Sequence, residues 1–68
     1  MKLSEKLLQL RESKGMTQRQ VYDATGITDV TISRYENNLR IPTLENAKIL
    51  SKLYGVSLDE LTDCDIAI

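Results

Sequence analysis

Few residues in this chain can do covalent chemistry. Its 68 residues include no histidine and a single cysteine. Without His, the usual general base and the commonest metal ligand are missing. Cys64 stands between Asp63 and Asp65, and two carboxylates disfavour a thiolate, so its reactivity is low. One cysteine builds no internal disulfide framework, which fits a reducing compartment. No nucleophile–base pair, metal set or phosphate-cradling Gly loop can be drawn. Enzyme activity, a cofactor and a metal are therefore not expected. What remains are hydroxyls, amides and guanidiniums placed near the starts of short helices. Gln18 and Thr28 stand at predicted helix N-termini, where unpaired N–H groups and the helix dipole favour an anion such as phosphate.

The elements that position these groups are all helical. The length allows one small domain, whose core is modest because so short a chain buries only about 60% of its unfolded surface. We place that domain at residues 1–62, with a short tail at 63–68. A hydrophobic fraction of 41% and a charged fraction of 28% are ordinary for a soluble globular chain. No apolar run approaches the ~20 residues of a membrane span, and residues 1–6 lack a signal-peptide core. The expectation is a cytoplasmic protein with no membrane partner.

Leu3, Leu7, Leu10 and Lys14 follow a helical stripe that Gly15 stops. Thr17 and Gln20 form a capping box that opens a helix over 18–25, with Gly26 as a left-handed stop. Thr28 caps a helix over 29–37, with Asp29 in its first turn, and Asn37-Asn38 ends it. Pro42-Thr43 opens a fourth helix that Gly55 ends. Ser57 and Glu60 form a second capping box before a short fifth helix. Five helices and no alternating segment predict an all-α domain.

Helices 2 and 3, joined by about three residues around a glycine, have the helix-turn-helix arrangement, whose second helix enters the DNA major groove. Two packed core helices with no such role would give the same spacing. The sequence also carries, in order, Leu10-Arg11-Glu12-Ser13-Lys14-Gly15-Met16-Thr17-Gln18, then Gly26-Ile27-Thr28, then Thr31-Ile32-Ser33-Arg34-Tyr35-Glu36-Asn37. Arg40, Pro42, Leu44 and Gly55-Val56-Ser57-Leu58-Asp59-Glu60-Leu61 follow. From about Leu7 to Leu61 the chain thus resembles the Cro/repressor, or XRE, type of helix-turn-helix protein. That resemblance implies a compact five-helix, lambda-repressor-like domain and a DNA-binding transcription regulator, often a repressor, that binds its operator as a dimer.

The resemblance implies roles for single residues. Arg11 pairs with Glu36 to set the angle of helix 3, and a guanidinium can hold a carboxylate bidentately. Asp29, Val30, Ser33 and Arg34 match the base-reading positions. Arg34 reads a guanine edge or contacts phosphate; Val30 packs on a thymine methyl. Ser33 donates or accepts. Asp29 either accepts from a cytosine amino group or stabilises its own helix N-terminus. Thr17, Gln18, Arg19, Thr28, Asn37, Asn38, Arg40 and Thr43 match phosphate-contacting positions. The threonines are caps in any case, Arg19 can be a solvated charge, and the asparagines can serve to end the helix.

Core positions implied by the resemblance are Leu7, Leu10, Val21, Ile27, Ile32, Leu44, Ala47, Leu50, Tyr54, Val56, Leu58 and Leu61. Tyr22 departs from the family, which has a small residue there; a ring at that position needs a changed helix angle or an outward swing. Asn38 replaces the usual glycine. Residues 17–42 balance Arg19, Arg34 and Arg40 against Asp23, Asp29 and Glu36, and the whole chain carries −1. Non-specific DNA affinity should then be modest and salt-sensitive. Leu53, Leu61, Ile66 and Ile68 are candidate homodimer contacts, unless the tail packs back on the core. The partners expected are a double-stranded operator, a second copy, and a protein antagonist or polymerase. The rival class is a protein-interaction module, antitoxin-like or antagonist, which the acidic balance and spare apolar residues favour.

Overall fold

A computed structural model describes residues 1–64 of the chain. Five helices follow one another: α1 Leu3–Ser13, α2 Gln18–Thr25, α3 Asp29–Glu36, α4 Leu44–Tyr54 and α5 Leu58–Thr62. No strand occurs among the described residues. This is the all-α, five-helix architecture expected from the sequence, folded within 26 × 23 × 21 Å.

Four helices start on the same chemistry. A hydroxyl at the N-cap accepts the backbone N–H three residues on: Thr17 from Gln20 at 3.1 Å, Thr28 from Thr31 at 3.2 Å, Thr43 from Asn46 at 3.2 Å, and Ser57 from Glu60 at 3.1 Å. Each bond satisfies a donor that the helix itself leaves orphaned, and such caps contribute about 1 kcal/mol apiece. At Thr17 the box is reciprocal, since the Thr17 N–H donates to Gln20 Oε1 at 2.8 Å. At Ser57 only half of the expected box forms. The Glu60 carboxylate turns instead to Lys6 Nζ at 3.4 Å, joining α5 to α1. Helix α3 stops at Glu36, one residue earlier than expected, because Asn38 takes a left-handed φ of 59°. Leu39 N–H then bonds back to Arg34 O at 2.9 Å, closing the turn.

The core gathers one stripe from each helix: Leu3 and Leu7, Val21, Ile32 and Tyr35, Leu50 and Tyr54, Leu61, and Ile27 from the turn. Two expectations need correction. Tyr35 is a buried core residue that the sequence reading left out. Leu44, expected inside, is 63% exposed. It is the first residue of α4, and helical side chains lean toward the N-terminus, so it overhangs the preceding loop instead of the packed layer. A cavity of about 170 Å³ opens there, lined by Leu3, Leu7, Ile41, Pro42, Leu44 and Leu61 among others. Leu10 and Val56 pack partly buried against the core, while Ala47 and Leu58 are half-buried.

Candidate nucleic-acid interface

The site is built around how α3 is held. Its α2–α3 turn is set by Gly26 at φ 79°, a left-handed conformation in which a side chain would be strained. Thr25 Oγ1 tightens the same turn, donating to Val21 O at 2.7 Å and accepting from Ile27 N at 3.1 Å. Ile27 is buried and anchors the turn to the core. Residues advance about 100° each along a helix, so Ile32, Tyr35 and Glu36 share one arc of α3, and Val30, Ser33, Arg34 and Asn37 share the opposite one. Ile32 and Tyr35 face the core, while Val30 is 57% exposed and Arg34 is exposed.

The inner arc ends on an ion pair. Arg11 Nε donates to Glu36 Oε2 at 2.7 Å and Nη2 to Oε1 at 2.9 Å, the bidentate geometry expected for this pair. Arg11 Nη1 also donates to Met16 O at 2.8 Å. Glu36 accepts a third bond, from Gln18 Nε2, at 3.1 Å. Its side chain is 4% exposed, so those donors replace lost water. The hydrogen bond to Glu36 holds the Arg11 pKa above its ordinary value despite partial desolvation. Burial pushes the Tyr54 hydroxyl up to about 12; the Glu36 carboxylate adds to the rise and Arg11 offsets part of it.

The charge arithmetic of the outer face changes accordingly. Glu36 is neutralised by Arg11, and Asp23 is met by Arg19 at 3.3 Å. Arg34 and Arg40 are exposed and have no ion pair among the described residues, so within residues 17–42 two unpaired cations stand against one unpaired carboxylate, Asp29.

The residues expected to touch DNA differ in how far their side chains are already engaged. Val30, Arg34 and Arg40 present free side chains to solvent. Thr17, Thr28 and Thr43 have their oxygens engaged as caps, and Thr28 Oγ1 also meets Thr31 Oγ1 at 2.8 Å. Asp29 Oδ1 accepts the Val30 N–H at 3.0 Å, the helix-end role open to it. Asn37 Nδ2 bonds Ser33 O at 2.8 Å and Ser33 Oγ at 3.2 Å, and Asn38 provides the left-handed stop. Gln18 spends its amide nitrogen on Glu36, while its position as the first residue of α2 keeps its backbone N–H at that helix start. Arg19 lies over the Tyr22 ring, 5.2 Å from its centroid. Tyr22 is half-buried, with one face of its ring covered by that guanidinium.

Among the dimer candidates, Leu61 is 2% exposed and belongs to the core, so it offers no free surface. Leu53 is half-buried against the core, and Ile66 and Ile68 lie outside the described residues. One structural residue escaped the sequence reading altogether. Asn46 Nδ2 donates to Tyr35 Oη at 2.9 Å, tying α4 to α3. Its signal was absent because the two residues meet only in the folded chain.

Comparison with known proteins agrees with this geometry. A family model described as helix-turn-helix matches residues 7–61. The chain is 38% identical over 61 residues to the HTH-type transcriptional activator BcrR of Enterococcus faecalis, covering 90% of this chain and 30% of that protein. It is 34% identical over 61 residues to the cryptic phage CTXphi transcriptional repressor RstR of Vibrio cholerae serotype O1, covering 90% and 54%. It is 34% identical over 65 residues to the HTH-type transcriptional regulator ImmR of Bacillus subtilis, covering 96% and 51%. The chain thus spans roughly a third to a half of the length of these relatives. With the α2–turn–α3 geometry and the Arg11–Glu36 pair in place, the chain belongs to the helix-turn-helix family of the Cro/repressor type.

Proposed function

We propose that this chain binds duplex DNA sequence-specifically and regulates transcription, with α3 lying in the major groove. The observation that carries the reading is the outer face of α3. Val30 and Arg34 are free there, while the opposite face is held by the core and by Glu36. Arg34 reads a guanine edge and Val30 a thymine methyl, with Ser33 and Asp29 at the flanks. Arg40 and the starts of α2, α3 and α4 position the phosphates. Two relatives bear names of opposite sign, an activator and a repressor. Repression is our reading, since a small domain seated on a promoter excludes polymerase by occupancy.

We further propose that two copies bind a palindromic operator. Half-sites lie about 34 Å apart along B-DNA. A body 26 Å in its longest Cα extent covers one half-site, and two such bodies at that spacing come within side-chain reach. Ile41 and Leu44, 40% and 63% exposed beside the apolar cavity, supply a knob and a hole on one surface, as a two-fold contact requires. Cytoplasmic action follows from a DNA target, and no helix of the described residues is long and apolar enough to cross a membrane.

The test is selection of bound duplexes from a randomised pool, followed by anisotropy titration at two salt concentrations. Enrichment of an inverted repeat, with affinity falling as salt rises, supports the operator-binding dimer. No enrichment at low salt overturns it and favours the protein-interaction reading, to which the exposed Leu39, Ile41 and Leu44 would then belong.

A further inference from the structure

We propose that Asn46 is a positioning residue that sets the operator preference of α3 without touching DNA. The proposal rests on the DNA-binding reading above. Helix α3 is pinned by side chains from other elements at two adjacent residues of its last turn. Glu36 is gripped by Arg11 from α1 and by Gln18 from α2. Tyr35 is gripped by Asn46 from α4, whose Nδ2 donates to the phenolic oxygen at 2.9 Å. Consecutive residues point about 100° apart around a helix, so the two pins act in different directions and together fix roll and tilt. At the other end of α3 the side-chain hydrogen bonds of the described residues are local: Thr28 with Thr31, and Asp29 with Val30. Asp29 and Val30 sit on that end, where a small rotation about the pinned end becomes a displacement at the bases, while Ser33 and Arg34 adjoin the pinned residues and turn with them.

Asn46 is well placed for this. Its backbone N–H is held by the Thr43 cap, so its own main chain is fixed at the start of α4. The 37–43 loop, which carries Arg40, connects the two helices and is bridged across by this single bond. Tyr35 is 5% exposed, so its ring is set by the core and its hydroxyl has little access to water. Deleting Asn46's amide leaves that hydroxyl short of a partner and removes one of the two pins on the last turn of α3, leaving the Glu36 pin alone to set its roll. The start of α4 and the base-reading helix are thereby coupled through one amide.

The experiment uses the full chain as wild type, Asn46→Ala, Tyr35→Phe and the double variant. Tyr35→Phe keeps the ring and removes the acceptor. Each variant is titrated, well below its unfolding midpoint, against the selected operator and a scrambled duplex of the same length. Each single variant should lose about three- to tenfold in the operator-to-scrambled ratio, the scale of one hydrogen bond. Affinity for the scrambled duplex should stay within about twofold, and the double variant should match the singles. An unchanged ratio with a lowered melting temperature would mean the bond only stabilises the fold, and would overturn the proposal. So would an equal loss on both duplexes. Backbone amide shifts over residues 29–36 in the DNA-free protein give a second reading. They should move along the whole of α3 in Asn46→Ala, and a change confined to the neighbours of Tyr35 would overturn positioning. A wild type that selects no operator defeats the DNA-binding reading instead, and the amide shifts still decide whether Asn46 orients α3.

Discussion

Gln18 and Glu36, the first residue of α2 and the last of α3, are joined by a hydrogen bond of 3.1 Å. The start of the helix-turn-helix is therefore tied to its end, and Arg11 closes the same carboxylate from α1 with two more bonds. Three elements converge on one group that is almost fully buried. That convergence makes the angle of α3 a property of the whole domain.

Removing Arg11 should be costly. Arg11→Ala leaves the Glu36 carboxylate buried with Gln18 as its remaining side-chain partner, and breaking a buried pair typically costs about 3–5 kcal/mol. A small domain has little more than that in total. Urea unfolding should show Arg11→Ala largely unfolded or near its midpoint in buffer. Arg11→Met with Glu36→Leu should recover much of the loss, because it removes both charges.

The two unpaired arginines should separate by role. Arg34→Ala should cost about 1–3 kcal/mol on the selected operator and relax its sequence preference. Arg40→Ala should weaken operator and scrambled duplex alike and lower the salt slope by about one. Titration of both variants at several salt concentrations checks the division, and equal loss of specificity in the two would overturn it.

Leu44 should matter for pairing and little for folding. It is mostly exposed, so Leu44→Glu should change the unfolding free energy by no more than about 0.5 kcal/mol. The same change places a charge beside the apolar cavity and should shift sedimentation toward the monomer. Operator affinity should fall while single half-site binding persists. A variant that still sediments and binds as wild type would place the dimer contact elsewhere.

Alkaline stability should report on Tyr54. Its folded pKa of about 12 lies above the ordinary value of 10, so the folded state retains a proton that the unfolded chain has lost. Tyr54 thus subtracts no stability below pH 10, and stability falls from about pH 10 to 12. Melting curves across that range should show a steeper decline in wild type than in Tyr54→Phe. Coincident slopes would mean that the hydroxyl is not held neutral by its surroundings.

Much of this protein was legible before any fold was known. The hydroxyl caps at Thr17, Thr28, Thr43 and Ser57, and the stops at Gly26 and Gly55, are local signals. Each depends on a residue and its neighbours three or four positions away, so their helix boundaries could be read directly. The Arg11–Glu36 pair was legible through resemblance to a family, since its members lie 25 residues apart. What tertiary structure decided was everything that depends on where one helix ends against another. Leu44 has the right residue type for a core, yet sits past the edge of the packed layer. Leu61, expected both in the core and at a dimer contact, lies in the core. Glu60 left its capping box for Lys6, and Asn46 found Tyr35. In each case the residue had a plausible local partner or role, and a neighbour distant in sequence supplied the geometry that won.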